Sequence, residues 1–347
     1  MSFSRAFLVL LLIQVLSMTN AFANYQQSTD NLLVGQVMGV AYSGFREGQH
    51  PDRGNGAVNP SDAEVLEDLN ILVEHGFQLI RLYDTDENSQ ATLRLIAEHQ
   101  LPIKVVQGIW LRAEISNHEG CPWLDEPILQ AELDANTLQN LAETQTAIEL
   151  VKQYSDIIVA VNVGNEALVE WNDHMVSVDA VINYVRMVKE QTDVAVTVAD
   201  NYDWWAKAGY ELAQELDFIG VHTYPVWENK PIEESLAYTI ENIEKVHLAI
   251  PNKPIVILEA GWATTADEFA ALAGVENQIT YYKDLLEWAT SSNTTVLFFE
   301  AFDEPWKGDP NKAGGAEKHW GLFYVDRTPK PVVTKFIRPK LINVENN

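Results

Sequence analysis

A chain of 347 residues, 47% hydrophobic and 21% charged, can bury a large core and lies far from a disordered profile. Its 50 Asp and Glu against 23 Lys and Arg leave a formal charge of -27, a field that repels nucleic acid and anionic membranes and suits a neutral ligand. Cys121 stands alone, which excludes an intramolecular disulfide, and no Cys/His cluster has metal-ligand spacing, so neither metal nor cofactor is expected.

The first segment reads as an export signal. Arg5 supplies a positive start, residues 6–16 are nearly all apolar, and Ala21-Phe22-Ala23 offers a small-x-small cleavage site. The apolar run is short against the roughly 20 residues of a membrane span, so an uncleaved anchor is the lesser alternative. Residues 1–23 are therefore set aside as a signal peptide, and 24–347 is expected as one secreted or periplasmic domain, monomeric and free of the membrane.

From there the chain alternates. Apolar, β-branched runs occupy 37–42, 79–83, 103–108, 157–163, 194–199, 218–222, 254–259 and 296–299, the pattern of parallel strands buried on both faces. Helical patterns fill the gaps. Ser61 and Glu64 form a capping box ahead of Val65, Leu69, Leu72 and Val73, and Gly76 closes that helix. Further helices are expected at 93–98, 138–154, 178–191, 205–216, 232–250 and 278–290, with a short last one at 332–337 after a long loop. Eight β–α units predict an α/β fold, a single-domain (β/α)8 TIM barrel. An open doubly wound sheet is the runner-up, weakened because no Gly-rich phosphate turn follows the first strand.

In such a barrel, active-site residues lie where strands end. The strand-end positions include Tyr42 and Ser43, then Arg81, Tyr83 and Asp84, then Gln107 and Trp110. Asn165-Glu166, Asp200-Asn201, His222, Tyr224 and Trp227 follow, and then Glu259, Trp262, Glu300, Glu304, Trp306 and Lys307. Carboxylates, amides and aromatics on one rim suit a sugar, with its hydroxyls and stackable ring faces. His222, ending an apolar strand, reads as a satisfied core histidine. Glu166 and Glu259 each close a buried run, where a carboxylate is costly unless paired or reactive. Strands four and seven end across the mouth from one another, the arrangement that glycoside hydrolysis needs.

The motifs Asn165-Glu166, Glu259-Ala260-Gly261-Trp262 and the run from Phe298 to Lys307 together resemble glycoside hydrolase family 17, the β-1,3-glucanase family. Gly39-Val40-Ala41-Tyr42-Ser43, Gln49-His50-Pro51 and His319-Trp320-Gly321-Leu322-Phe323 look like its bacterial and fungal branch, so the resemblance covers about residues 37 to 335. It implies a retaining, endo-acting hydrolase of laminarin-like β-1,3-glucan. Glu166 would be acid/base, Glu259 nucleophile, Asn165 the partner of the sugar 2-hydroxyl, and Tyr224 the residue orienting the nucleophile. Glu304, Lys307 and Glu317 match the family's charged cluster, in which Lys307 would hold Glu304 ionised. Tyr83, Asp84, Trp262 and Trp306 complete the expected substrate-binding set. Ala263 stands where many members have proline. Transglycosylation at the same site and a non-catalytic glucan-binding module are the rival readings.

Overall fold

The computed structural model describes residues 25–28, 33–52 and 56–337; the expected signal peptide lies outside them. Eight strands pair in parallel and in sequence order, and the first closes on the last. They are β1 (Met38–Ala41), β2 (Leu79–Arg81), β3 (Lys104–Ile109), β4 (Ile158–Asn165), β5 (Ala195–Asn201), β6 (Ile219–His222), β7 (Ile255–Ala260) and β8 (Val296–Phe298). The expected barrel is thus the observed one, with strand ends displaced by a residue or two.

The helices around it are α1 (Asp62–Glu74), α2 (Glu87–Glu98), α3 (Gln130–Gln153), α4 (Val178–Gln191), α5 (Tyr202–Ala208), α6 (Tyr210–Glu215), α7 (Ile232–Ala249), α8 (Val275–Ser292) and α9 (Pro331–Phe336). Ser61 and Glu64 form the expected reciprocal cap of α1. Two expectations differ. The helix read at 205–216 is split into α5 and α6 at Gly209, where an added Cβ would lie 2.3 Å from the Trp205 ring. The helices read at 93–98 and 138–154 begin earlier, at Glu87 and Gln130, because their opening turns are polar and carry no apolar periodicity.

Strand side chains alternate between two cores. Leu79, Val106, Ala160, Val256, Leu258 and Leu297 form one cluster, and Ile80, Val105, Val161, Ile257, Val296 and Phe298 belong to the larger one shared with the helices. Two ties outside the ladders shape the ends. The Gln27 side chain brackets the backbone of Ile255, donating to its carbonyl and accepting from its N–H, each at 2.7 Å. Asp68 on α1 accepts Arg327 Nε at 2.8 Å and Nη2 at 2.7 Å, with Arg46 Nη2 at 2.8 Å, clamping the last long loop to the barrel wall. No helix among the described residues is long and apolar enough to cross a membrane.

Candidate active site

The end of β4 is irregular. Its register with β5 shifts between Asn162 and Asn165, Gly164 has φ 84°, and Glu166 itself sits at φ 49°, a left-handed conformation that costs a non-glycine residue on the order of 1 kcal/mol. That turn is held from β5: Glu166 N–H donates to Ala199 O at 2.9 Å, and the buried Asp200 carboxyl accepts Leu168 N–H at 3.0 Å. Asn172 Nδ2 closes it by donating to Glu166 O at 3.1 Å. Glu166 is thereby aimed at the mouth, its side chain 23% exposed.

Glu259 near the end of β7 is its counterpart, buried and heavily bonded. Oε1 accepts from Arg81 Nη1 at 2.9 Å and the Tyr83 hydroxyl at 2.8 Å; Oε2 accepts from the Tyr224 hydroxyl at 2.6 Å. Burial works against the ionised form, yet His222, Arg81 and the two tyrosines hold the Glu259 carboxyl below its ordinary range. The same burial and the same carboxylate push both tyrosine hydroxyls well up, so they remain donors.

His222 joins the pair. Its Nδ1 lies 2.9 Å from Glu166 Oε1 and 3.5 Å from Glu259 Oε2. Nδ1 faces two carboxylate oxygens, so it carries a proton and donates to Glu166, while Arg81 Nη1 lies 3.0 Å from Nε2. One oxygen of each carboxylate and one ring nitrogen of His222 all lie within 4.8 Å of one another. Such a trio has metal-ligand spacing, but Nδ1 presents a proton rather than a lone pair, which fits a carboxylate partner and not a cation.

The expected site residues divide. Asn165 Oδ1 accepts from Arg81 Nη2 at 2.5 Å, and Tyr83 and Tyr224 bond Glu259 directly, so these join the pair. Glu304 accepts from Ser43 Oγ and contacts Lys307 Nζ at 2.7 Å. Lys307 and those hydrogen bonds hold Glu304 below the ordinary range despite burial, as expected. Glu317 is half-buried beside them; burial pushes its carboxyl up to about 7, with Glu259 and Glu166 adding to the rise and Lys307 opposing it. Trp306 packs edge-on to Phe45 at 5.9 Å on the wall opposite β4. Asp84 is not brought to the pair: Oδ1 accepts Ser89 Oγ at 2.7 Å and Asp86 N–H at 3.1 Å, serving the turn into α2. Trp262 requires a correction. It is fully buried, its Nε1 donates to Leu272 O at 2.9 Å, and its ring packs on Tyr281, so no sugar face reaches it.

Four residues that the sequence places at strand ends without a site role belong here. His222 is buried as a core histidine would be, but it bridges two carboxylates. Arg81 interrupts the apolar Leu79-Ile80-Arg81-Leu82 run, and a charge there demands a buried partner. Asp200 sets the turn that carries Glu166, and Glu300 bonds Lys307 Nζ at 2.5 Å. The aromatic rim is supplied by Trp110, which stacks on His174 at 4.6 Å, and by Trp227, half-exposed over Phe269 and Trp320.

A barrel whose C-terminal mouth holds two carboxylates this close, inside a collar of tyrosine, arginine and exposed tryptophan, has the equipment of a glycoside hydrolase. Residues 123–321, more than half of the chain, match the model of the BtgE/BtgC glycoside hydrolase domain. The chain belongs to that family. It is 28% identical over 287 residues to a glucan 1,3-beta-glucosidase of Arthroderma benhamiae, covering 77% of this chain and 83% of that one. It is 27% identical over 296 residues to the Aspergillus fumigatus protein described as a probable glucan endo-1,3-beta-glucosidase, btgC; there it covers 78% of this chain but spans only 40% of the relative's length. Among solved structures, a Formosa endo-laminarinase superposes with TM-score 0.73 at 24% identity, covering 85% of each chain. A family 17 beta-1,3-glucanosyltransferase from Rhizomucor miehei gives 0.67 at 24%, covering 90% and 99%. At that identity these two speak for the fold.

Proposed function

We propose that the protein hydrolyses β-1,3-glucosidic bonds of laminarin-like glucan with retention, acting within the chain, with Glu259 as nucleophile and Glu166 as acid/base. The observation that carries this reading is the pair of carboxylates meeting at His222, with one oxygen of each within 4.8 Å of the other. Retaining enzymes hold their carboxyls about 5 Å apart, whereas inverting ones leave a wider gap for water. The names of the relatives supply the β-1,3-glucan.

The chemistry follows from the hydrogen bonds. His222 Nδ1–H occupies Glu166 Oε1, which leaves Oε2 to carry the acid proton. Glu166 gives that proton to the glycosidic oxygen as the C1–O bond breaks, and Glu259, held ionised by Arg81 and the tyrosines, forms the C1–carboxylate ester. Water then attacks C1, returns a proton to Glu166 and releases Glu259. Asn165, with Oδ1 fixed by Arg81, turns its amide NH2 to the sugar 2-hydroxyl. No cofactor enters this scheme. The leader at 1–23 supports export to the periplasm or medium, where such a polymer is met.

Incubating the protein with laminarin, lichenan and cellulose and sizing the products over time tests substrate and mode. Proton NMR during the first turnovers should show the β-anomer of the new reducing end; an initial α-anomer would overturn retention. Products longer than a laminari-oligosaccharide substrate would show that sugars outcompete water, and binding without any cleavage would leave only a glucan-binding module.

A further inference from the structure

Beside the pair, a second group of acids gathers around one ammonium. Lys307 Nζ contacts Glu300 Oε2 at 2.5 Å and Glu304 Oε2 at 2.7 Å, and Glu317 feels the same charge. Both Glu300 and Glu304 are essentially sealed from solvent, and their carboxyls lie within hydrogen-bonding reach of each other. Yet Glu300 Oε1, buried, accepts no hydrogen bond from the described residues, while Glu304 Oε2 lies against the Lys307 ammonium. Two ionised carboxylates could not face each other this way around a single cation without a severe penalty, whereas one shared hydrogen gives Glu300 Oε1 its missing partner and removes the repulsion.

We propose that Glu300 and Glu304 share one proton, carried by Glu300 as an un-ionised carboxyl that donates to Glu304, and that Glu300 is thereby a positioning residue for the β1 wall of the cleft. The remaining oxygen of Glu304, Oε1, accepts Ser43 Oγ and, at 3.4 Å, Phe45 N–H, so whatever orients Glu304 also sets the loop after β1. The charges facing Glu300 agree. Burial pushes its carboxyl well above the ordinary range; Lys307 pulls the other way and Glu304 adds to the rise. Tyr83 from β2 and Lys330 at the start of α9 also sense its charge. With the proton in place, Lys307 and Glu304 cancel, and Glu317 also senses that ammonium.

The test compares the melting temperature of wild-type protein and Glu300→Gln across pH. A carboxyl held protonated by the fold binds its proton more tightly folded than unfolded, so it loses stability as pH rises from its ordinary range towards its raised one. Glutamine keeps the donor and carries no charge to lose. Glu300→Gln should therefore gain several degrees on the wild type as pH rises above the ordinary carboxyl range. A gap that stays constant, or a variant that loses ground as pH rises, would show an ionised Glu300 paired with Lys307 and overturn the proposal. Should the variant not fold, carboxyl ¹³C titration of glutamate-labelled wild type decides instead. One glutamate still protonated after Glu143 and Glu317, at about 7, have ionised supports sharing; none refutes it.

A second arm reads KM for laminarin against pH. The rise of KM at alkaline pH should move upward in Glu300→Gln with kcat following its own profile; an unmoved KM profile would refute the positioning role. This arm rests on the β-1,3-glucan reading and the melting arm does not, so the two failures can be told apart.

Discussion

Two buried arginines show how the same guanidinium serves opposite ends. Arg327 grips Asp68 with Nε and Nη2, one to each carboxylate oxygen, and Arg46 adds a third donor to the same carboxylate. Arg81 instead spreads its donors over Glu259, His222, Leu258 O and Asn165, taking only one oxygen of Glu259. A carboxylate saturated by its partner is a fastener. A carboxylate held by the arginine at one oxygen and by a single hydroxyl at the other keeps an electron pair for substrate, and the difference lies in what the arginine leaves undone.

Substitutions can break that contrast. The largest effect is expected from Glu259→Gln, which should lower kcat by roughly 10⁴-fold or more with an unchanged circular dichroism spectrum; near-normal turnover would remove Glu259 as nucleophile. Next comes Arg81→Met. It strands Glu259 without its cation and frees the His222 tautomer, so kcat should fall by about 10²-fold or more, together with a stability loss of about 3 kcal/mol in denaturant titration. If only stability fell, Arg81 would be a fastener like Arg327.

Arg327→Met supplies the mirror image. Leaving Asp68 buried with one cation fewer should cost about 3 kcal/mol while kcat per folded molecule holds. Loss of kcat out of proportion to the folded fraction would mean that the clamp shapes the mouth.

How much of this was legible beforehand follows from which forces write themselves into local sequence. Barrel and strand order could be read because each parallel strand is apolar throughout, as in Ile255-Val256-Ile257-Leu258, and because Ser61 and Glu64 announce a helix start. Glu166 and Glu259 were legible as acids ending such runs. His222 and Arg81 were not assigned to the site, since their meaning comes from partners on other strands, at Glu166, Glu259 and Asn165. Trp262 misled for the converse reason: it sits three residues from Glu259, but the chain has already turned its ring into the core. Exposure belongs to the fold, and one sequence does not display it.

The smallest expected effect concerns Glu143 behind the rim, which accepts Trp110 N–H at 2.9 Å and Arg112 Nη1 at 3.0 Å. Burial pushes its carboxyl up to about 7, so the folded chain holds that proton more tightly than the unfolded one and stability declines as pH rises through this window. Glu143→Gln removes the decline. Its deficit against wild type should be greatest near about pH 5 and shrink by about 2 kcal/mol towards about pH 8. Melting curves that run parallel across that window would place the proton elsewhere.

The turn after β4 carries a consequence for how this scaffold can diversify. From Gly164 to Asn172 the backbone is stitched to β5 and back onto Glu166, leaving no slack for an inserted residue without displacing the acid. The loop from β8 to α9 is longer: it holds a 3-10 turn at Ala316–Lys318 and bridges from Phe323 to Phe302 and Pro329, and it forms the opposite bank of the cleft. New glucan preferences therefore have room to arise by lengthening that bank, while the β4 turn stays at a fixed length as the reference mark for the chemistry.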